Sequence, residues 1–454
     1  MIINNSRMKK YKEIALLSFS TFLSTLVCAQ NPIITNQYTA DPSARVFGDK
    51  VYLFPSHDIT ASQGKGRVGW FCMEDYHVFS SSNLREWSDQ GIIITQNKIP
   101  WVKADSYNMW APDCIEKNGK YYFYFPATPG DSSYGRGFTI GVAVADNPEG
   151  PYTPLPDPIK GVRGIDPNVF IDRDGQAYLY RAGGNIYGAK LKENMVELAS
   201  EPVILKELPT KGLKEGPYLF ERKGIYYLTY PHVETKIERL EYTMSNNPLG
   251  PFKNRGVLMD ESTSGCWTNH QSVIQFINQW YLFYHNNDLS PQFDKNRSVR
   301  IDSLFFNEDG TIQKVLPTLR GVGETNAKQK IQIDRYTQRS NNGASIDFID
   351  SLNKFNGWKT IFSQAGAWVQ YNSVDFGKPT LKTITVRALS QTGGILQIHA
   401  NDINGLLIAE IKIPKSSNWK ITKFPVLNIQ SGIHNLFVVL KDNKKIEVDW
   451  IGFE

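Results

Sequence analysis

Gly164-Ile165-Asp166-Pro167-Asn168-Val169-Phe170, followed by Ala177-Tyr178-Leu179-Tyr180, sets a carboxylate about ten residues ahead of a Tyr-rich strand. The same phrase occurs four more times. Asp41 precedes Val51-Tyr52-Leu53-Phe54, Asp113 precedes Tyr121-Tyr122-Phe123-Tyr124, Glu215 precedes Tyr226-Tyr227-Leu228-Thr229-Tyr230, and His270 precedes Trp280-Tyr281-Leu282-Phe283-Tyr284. The strand tyrosines at 52, 122, 178, 227 and 281 stand 70, 56, 49 and 54 residues apart, the period of a propeller blade. Five units predict a five-bladed β-propeller. If each polar residue opens the innermost strand of its blade, four acids and a histidine converge on the channel axis. Converging buried carboxylates repel one another, so their recurrence at one place points to chemistry rather than packing.

The rest of the chain agrees with an all-β reading. At 454 residues it is long enough for two domains. Its aromatic content of 12%, with 22 Tyr and 10 Trp, suits strands and sugar-stacking surfaces. The polar, glycine-bearing stretch 321–330 reads as a linker, which places the propeller at 30–322. From 331 to 454 the repeat stops, and alternating segments such as Thr383-Ile384-Thr385-Val386-Arg387-Ala388 and Asn435-Leu436-Phe437-Val438-Val439-Leu440 predict a β-sandwich of jelly-roll type.

Arg7, Lys9, Lys10 and Lys12 precede an apolar run from Ile14 to Val27, with Val27-Cys28-Ala29 before Gln30. This is the layout of a secretory signal over 1–29 cleaved near Ala29, and it predicts a secreted or periplasmic protein. The run carries five Ser/Thr and is short for a bilayer, so no integral membrane span is expected. Removing 1–29 takes away four basic residues and one acid, bringing the formal charge from +5 to +2. Neither nucleic acid nor an anionic membrane is called for. Cys72, Cys114 and Cys266 then remain, an odd number without metal or redox spacing, and one pair among them stays open.

Two carboxyl groups facing one another, one ionised and one protonated, are the equipment for breaking a glycosidic bond. Asp41 in Ala40-Asp41-Pro42-Ser43-Ala44-Arg45, Trp110-Ala111-Pro112-Asp113, Ile165-Asp166-Pro167-Asn168-Val169-Phe170 and Glu215-Gly216-Pro217-Tyr218 together resemble glycoside hydrolase family 43 over about residues 35 to 320. The resemblance implies a five-bladed propeller that cleaves plant-wall glycans with inversion. It implies Asp41 as general base, Glu215 as general acid, and Asp166 as the residue that tunes and orients the acid. Those roles fit the residues themselves, since a base must be ionised near neutral pH and an acid must keep its proton. Inversion requires about 6.5–9.5 Å between the two carboxyl groups, room for a water.

The resemblance also implies a calcium or similar ion in the channel at His270, and an arginine near the bound sugar at Arg297. Read alone, His270 is equally a hydrogen-bonded structural histidine, because calcium prefers oxygen ligands, and Arg297 is equally a surface arginine. Trp70, Phe71, Trp101, Trp110 and Trp267 are expected as pocket walls, since sugar rings pack their C–H faces on aromatics. Asp113 reads as a blade-organising residue. The glycine-rich segments 61–70 and 129–137 read as rim loops, the second lacking the Lys-Ser/Thr of a phosphate loop. No organic cofactor is expected.

Ala367-Trp368-Val369-Gln370-Tyr371, Val374-Asp375-Phe376-Gly377, Val386-Arg387-Ala388, Trp419 and Val448-Asp449-Trp450-Ile451-Gly452-Phe453 resemble a family 6 carbohydrate-binding module. A structural calcium in this domain is a further expectation. The pattern departs around Asn401–Gly405 and Ser416–Asn418, where two facing aromatics cannot be assigned. The expected activity is an exo-glycosidase on hemicellulose with an oligo- or polysaccharide substrate, an α-L-arabinofuranosidase or β-xylosidase. An exo-β-galactanase and a catalytically idle glycan-binding protein are the alternatives.

Overall fold

A computed structural model describes residues 30–378 and 380–454; the expected signal segment 1–29 lies outside the described residues. Within them the chain is strands joined by loops, with three single 3₁₀ turns and no α-helix. No described helix is long and apolar enough to cross a membrane.

Blade I comprises β1 (Tyr38–Phe47), β2 (Lys50–Asp58), β3 (Asp75–Ser81) and β4 (Ser88–Thr95), in that spatial order. Blade II follows with β5 (Asp113–Lys117), β6 (Lys120–Ala127), β7 (Thr139–Ala145) and β8 (Thr153–Pro154). Blade III holds β9 (Ile165–Ile171), β10 (Ala177–Ala182), β11 (Ile186–Lys190) and β12 (Val203–Ile204). Blade IV holds β13 (Tyr218–Arg222), β14 (Ile225–Val233), β15 (Glu238–Ser245) and β16 (Lys253–Met259). Blade V has three strands, β17 (Ser272–Phe276), β18 (Gln279–Asn286) and β19 (Ser298–Leu304). All pairings within blades are antiparallel.

The N-terminal segment seals the ring at blade V. The Ile33 N–H donates to the Val299 carbonyl at 2.9 Å, and Asn31 exchanges side-chain bonds with the backbone of Ile301. Blade faces pack through aromatics and branched aliphatics. Phe54, Tyr76 and Phe123 join blades I and II, and Val51, Leu53, Ile274 and Phe283 join blades I and V. The Tyr-rich strand of each repeat is therefore the second strand of its blade, buried on both faces, which explains its lack of polar alternation.

The second domain stacks a six-stranded sheet on a five-stranded one. The first contains β20 (Thr325–Asn326), β21 (Gln338–Arg339), β24 (Trp368–Asp375), β26 (Gly394–Ala400), β27 (Leu406–Ile413) and β29 (Ile433–Leu440). The second contains β22 (Ala344–Phe348), β23 (Trp358–Phe362), β25 (Thr383–Ser390), β28 (Ser416–Pro425) and β30 (Ile446–Phe453). The stretch 321–330 is not a free linker. β20 pairs in parallel with β24, and Ala327 is fully buried in the sandwich core. The domains touch directly, with the Arg320 guanidinium donating to the Asn372 carbonyl and the Gln30 amide to the Tyr371 hydroxyl.

Candidate active site

The first strands of the blades begin on one face of the ring, and two of them begin with a deliberate distortion. Asp41 and Asp166 have φ of 45° and 56°, and both lie where the ladder to the second strand shifts register. A bulge re-aims a side chain that a regular strand would hold against the neighbouring blade, and aspartate tolerates this backbone region better than most residues. The following proline has no N–H to leave unpaired, so the Asp-Pro pair suits the bulge. At blade IV the same work falls to Gly216, with φ of 50°. A Cβ there would stand 2.8 Å from Pro231 Cδ and 3.1 Å from His270 Nδ1.

These turns line one pocket. Asp41, Asp166, Glu215, Trp70, Phe71, Trp110, Trp267, His270 and Arg297 all face it, together with Met73, Thr268 and Asn269. Phe71 sits at the centre of the aromatic wall, 5.4 Å from Trp70, 5.9 Å from Trp110 and 6.1 Å from Trp267 between ring centroids. Trp101 does not belong to it. It is buried in the core of blades I and II, stacked on Phe125, so its expected place in the wall is corrected.

Arg297 is not a surface arginine. It is 3% exposed, donates to both oxygens of buried Asp58 at 2.9 Å, and reaches Asp41 Oδ1 at 2.7 Å. Ser56 donates to Asp41 Oδ2 at 2.7 Å. Burial works to raise the Asp41 pKa, but Arg297 beside it, with His285, His270 and the Ser56 hydroxyl, brings it down to about 2. His285 accepts the Asp41 N–H at Nδ1, 3.0 Å away, and its Nε2 lies 3.0 Å from the Thr268 carbonyl. Burial and the Arg297 charge push its pKa down to about 3, so the imidazole is neutral with its proton on Nε2.

The carboxyl groups of blades III and IV behave in the opposite sense. Burial pushes Glu215 up; the Glu238 hydrogen bond opposes this and the Asp41 charge adds to it. Asp166 is held well above the usual carboxylate range by burial and then by Glu215. Its Oδ2 accepts the Gly216 N–H at 2.9 Å, while Gln271 donates to the Gly216 carbonyl at 2.9 Å, so both backbone polar groups of Gly216 are held and fix the Glu215 turn. Glu238, at the start of β15, is 1% exposed and in hydrogen-bond contact with Glu215.

Sequence reasoning passed over Asp58, Glu238, Thr268 and His285. Asp58 and His285 close the second strands of blades I and V, and Glu238 opens the third strand of blade IV. In an antiparallel blade those ends return to the same face as the start of the first strand. A polar residue just past a Tyr-rich strand was the available signal.

Asp113 is 1% exposed and lines no part of the pocket. It accepts from Ser43, Arg45, Asn168 and the Val169 N–H, tying blades I, II and III together. Cys72, Cys114 and Cys266 are free and buried.

The His270 ring faces the pocket, makes no hydrogen bond among the described residues, and has Asp41 Oδ1 at 3.9 Å. It presents one nitrogen ligand, so a cation held there would complete its shell with waters. The three-residue cluster of metal-binding type among the described residues lies elsewhere, at His57, Asp75 and His77 on blade I. The sandwich has no such cluster among the described residues.

The profile of glycosyl hydrolases family 43 matches residues 29–312. The chain belongs to this family. It is accordingly a glycoside hydrolase of the inverting kind, and residues 336–454 match the family 6 carbohydrate-binding module. A xylosidase/arabinosidase 43A of Humicola insolens is 37% identical over 330 residues, 62% of this chain and 98% of that protein. An arabinoxylan arabinofuranohydrolase of Paenibacillus polymyxa is 27% identical over 473 residues, 90% of this chain and 71% of that protein. Among solved structures, the family 43 enzyme of Xanthomonas citri complexed with xylotriose is 34% identical with a TM-score of 0.56, covering 64% of this chain and 94% of that one. A metagenomic β-xylosidase/α-arabinofuranosidase in complex with xylotriose, in a calcium-free form, is 33% identical with a TM-score of 0.56 over 63% of this chain and 97% of that one.

Proposed function

We propose that this family 43 hydrolase removes terminal α-L-arabinofuranosyl or β-D-xylosyl units from plant-wall hemicellulose by single displacement. The observation that carries the reading is the opposed protonation of one pocket's carboxyl groups, Asp41 held down to about 2 and Glu215 pushed up by burial. Ionised Asp41, anchored by Arg297 and Ser56, takes a proton from a water as that water attacks the anomeric carbon. Glu215 delivers its proton to the leaving oxygen as the glycosidic bond breaks. Asp166 and Glu215 repel one another, which keeps a proton in the pair, and the Gly216 N–H on Asp166 holds that carboxyl against the Glu215 turn. The aromatic wall of Trp70, Phe71, Trp110 and Trp267 packs the sugar, and Arg297 sets its polar edge.

Names of the relatives support these two sugars, and a compact pocket suits a chain end. His270 would hold a hydrated calcium ion, whose positive charge would favour the ionised form of nearby Asp41. The leader-like segment 1–29 supports export, with Gln30 as the first mature residue.

Free-sugar release from aryl α-L-arabinofuranoside and aryl β-D-xyloside, with Asp41→Ala in parallel, tests the reading. Release from at least one, lost in the variant, is expected. Release from neither, with glycan binding intact, would favour another sugar or an idle binding protein.

A further inference from the structure

The acid of the proposed mechanism has a second carboxyl group pressed against it. Glu238 Oε2 accepts the Asn269 N–H at 2.6 Å, and its own N–H donates to the Trp267 carbonyl at 3.0 Å. Oε1 is buried and finds no donor. The carboxyl group beside Glu238 is that of Glu215, and, after burial, the side-chain interaction between them raises the Glu238 pKa and lowers that of Glu215. Two carboxylates cannot hold such a contact, because neither has a hydrogen to give; a proton must lie between them.

The groups facing the pair are Asp166 and Asp41, both acidic, the His270 imidazole, which burial pushes toward its neutral form, and the Arg297 guanidinium, which is already bound to Asp58 and Asp41. Among these described groups no cation is free to neutralise Glu238. A buried carboxyl in that position is neutral.

We propose that Glu238 is a positioning residue that stays protonated and donates its O–H to Glu215, holding one Glu215 oxygen so that the other presents the acidic proton to the leaving group. The inference rests on Glu215 being the general acid. As the glycosidic C–O bond breaks, the Glu215 proton passes to the leaving oxygen and a carboxylate remains. Glu238 keeps its own proton, and its bond to that carboxylate becomes charge-assisted and stronger. The interaction therefore favours the transition state over the ground state, which raises kcat rather than lowering KM. Nothing in the pocket lining includes Glu238, so it acts through Glu215 and does not touch the sugar.

The test compares Glu238→Leu and Glu238→Gln. Leucine removes the donor, whereas glutamine keeps a neutral N–H in nearly the same place. With Glu238→Leu, kcat on a poor leaving group should fall ~10–100-fold with KM little changed, the value of a hydrogen bond to a charged group. The basic limb of its kcat/KM–pH profile should move up, because the Glu215 carboxylate has lost a donor. Glu238→Gln should recover about tenfold of the loss. A basic limb that moves down would mean that Glu238 had been an anion, and an unmoved limb would mean no coupling; either overturns the inference, as does a glutamine variant as impaired as leucine. Asp41→Ala and Glu215→Gln are measured alongside. If those retain full hydrolysis, the assignment of base and acid fails first, and this inference with it.

Discussion

Blades I and II each carry an aspartate near the start of the first strand, two residues apart in the repeat, and use it for opposite ends. Asp113 pairs with Tyr124 as Ser43 pairs with Phe54, so the blade II counterpart of Asp41 is Ala111. Asp41 and Asp113 each open the environment of a first strand. Asp113 spends its oxygens on Ser43, Arg45, Asn168 and Val169 and is closed off from the pocket. Asp41 sits on a bulge with φ of 45°, holds Arg297 and Ser56, and faces open space. A shift of two residues along the first strand takes a carboxylate from the pocket to the seam between blades, where Asp113 meets its counterparts Ser43 and Asn168; partners and backbone then decide what it does.

The widest gap between the two should appear in rate. Asp41→Ala removes the proposed base and should lower kcat ~10²–10⁴-fold. It should melt near the parent, since Arg297 remains bound to Asp58. Circular dichroism melts and initial rates on one aryl glycoside check both halves. Asp113→Ala inverts the pattern. It leaves the Arg45 guanidinium buried without its partner and should cost about 3–5 kcal/mol of stability, with activity per folded molecule largely kept. A denaturant titration that found Asp113→Ala as stable as the parent would break the comparison.

A middle-sized effect concerns pH. Asp166, Glu215 and Glu238 have folded pKa values raised above their unfolded ones. Groups of that sign contribute stability below the unfolded value of about 4 that is lost as pH rises toward the folded value. Asp41 has the opposite sign, and its contribution is lost only as pH falls from 3.8 through about 2. Glu215→Gln should therefore lose less Tm than the parent as pH rises above the ordinary carboxylate range; the depressed His285 works in the opposite sense below its ordinary 6.5 in both proteins and cancels in that comparison. A steeper decline in the variant would contradict the raised Glu215.

The smallest effect repeats the lesson with tryptophan. Trp70 lines the pocket, so Trp70→Ala should raise KM about 3- to 10-fold with little loss of stability. Trp101 is stacked on Phe125 in the core, so Trp101→Ala should be felt in the melt at about 3–5 kcal/mol. Michaelis plots and melts on the two variants separate the cases.

The contrast between the tryptophans also marks how far the sequence could be read. Periodic Tyr-rich strands exposed the blades because a strand buried on both faces must be apolar or aromatic throughout. The first-strand residues Asp41, Asp166, Glu215 and His270 were legible because the repeat gave each an address. Asp58, Glu238 and His285 share the same face by antiparallel return, but second and third strands vary in length and leave no fixed offset to count. Trp101 had the right type and the wrong side, which only packing decides. Thr325–Asn326 looked like linker because two residues of parallel pairing are too few to show a period.

The central claim is direct displacement by water at Asp41 with Glu215 protonating the leaving group. The most direct test is proton NMR of the sugar anomer released in the first turnovers, before mutarotation. Inverted product, β-arabinofuranose from an α-arabinofuranoside or α-xylose from a β-xyloside, is the expected result. Product with retained configuration would require a covalent intermediate at a closer carboxylate pair and would contradict the account.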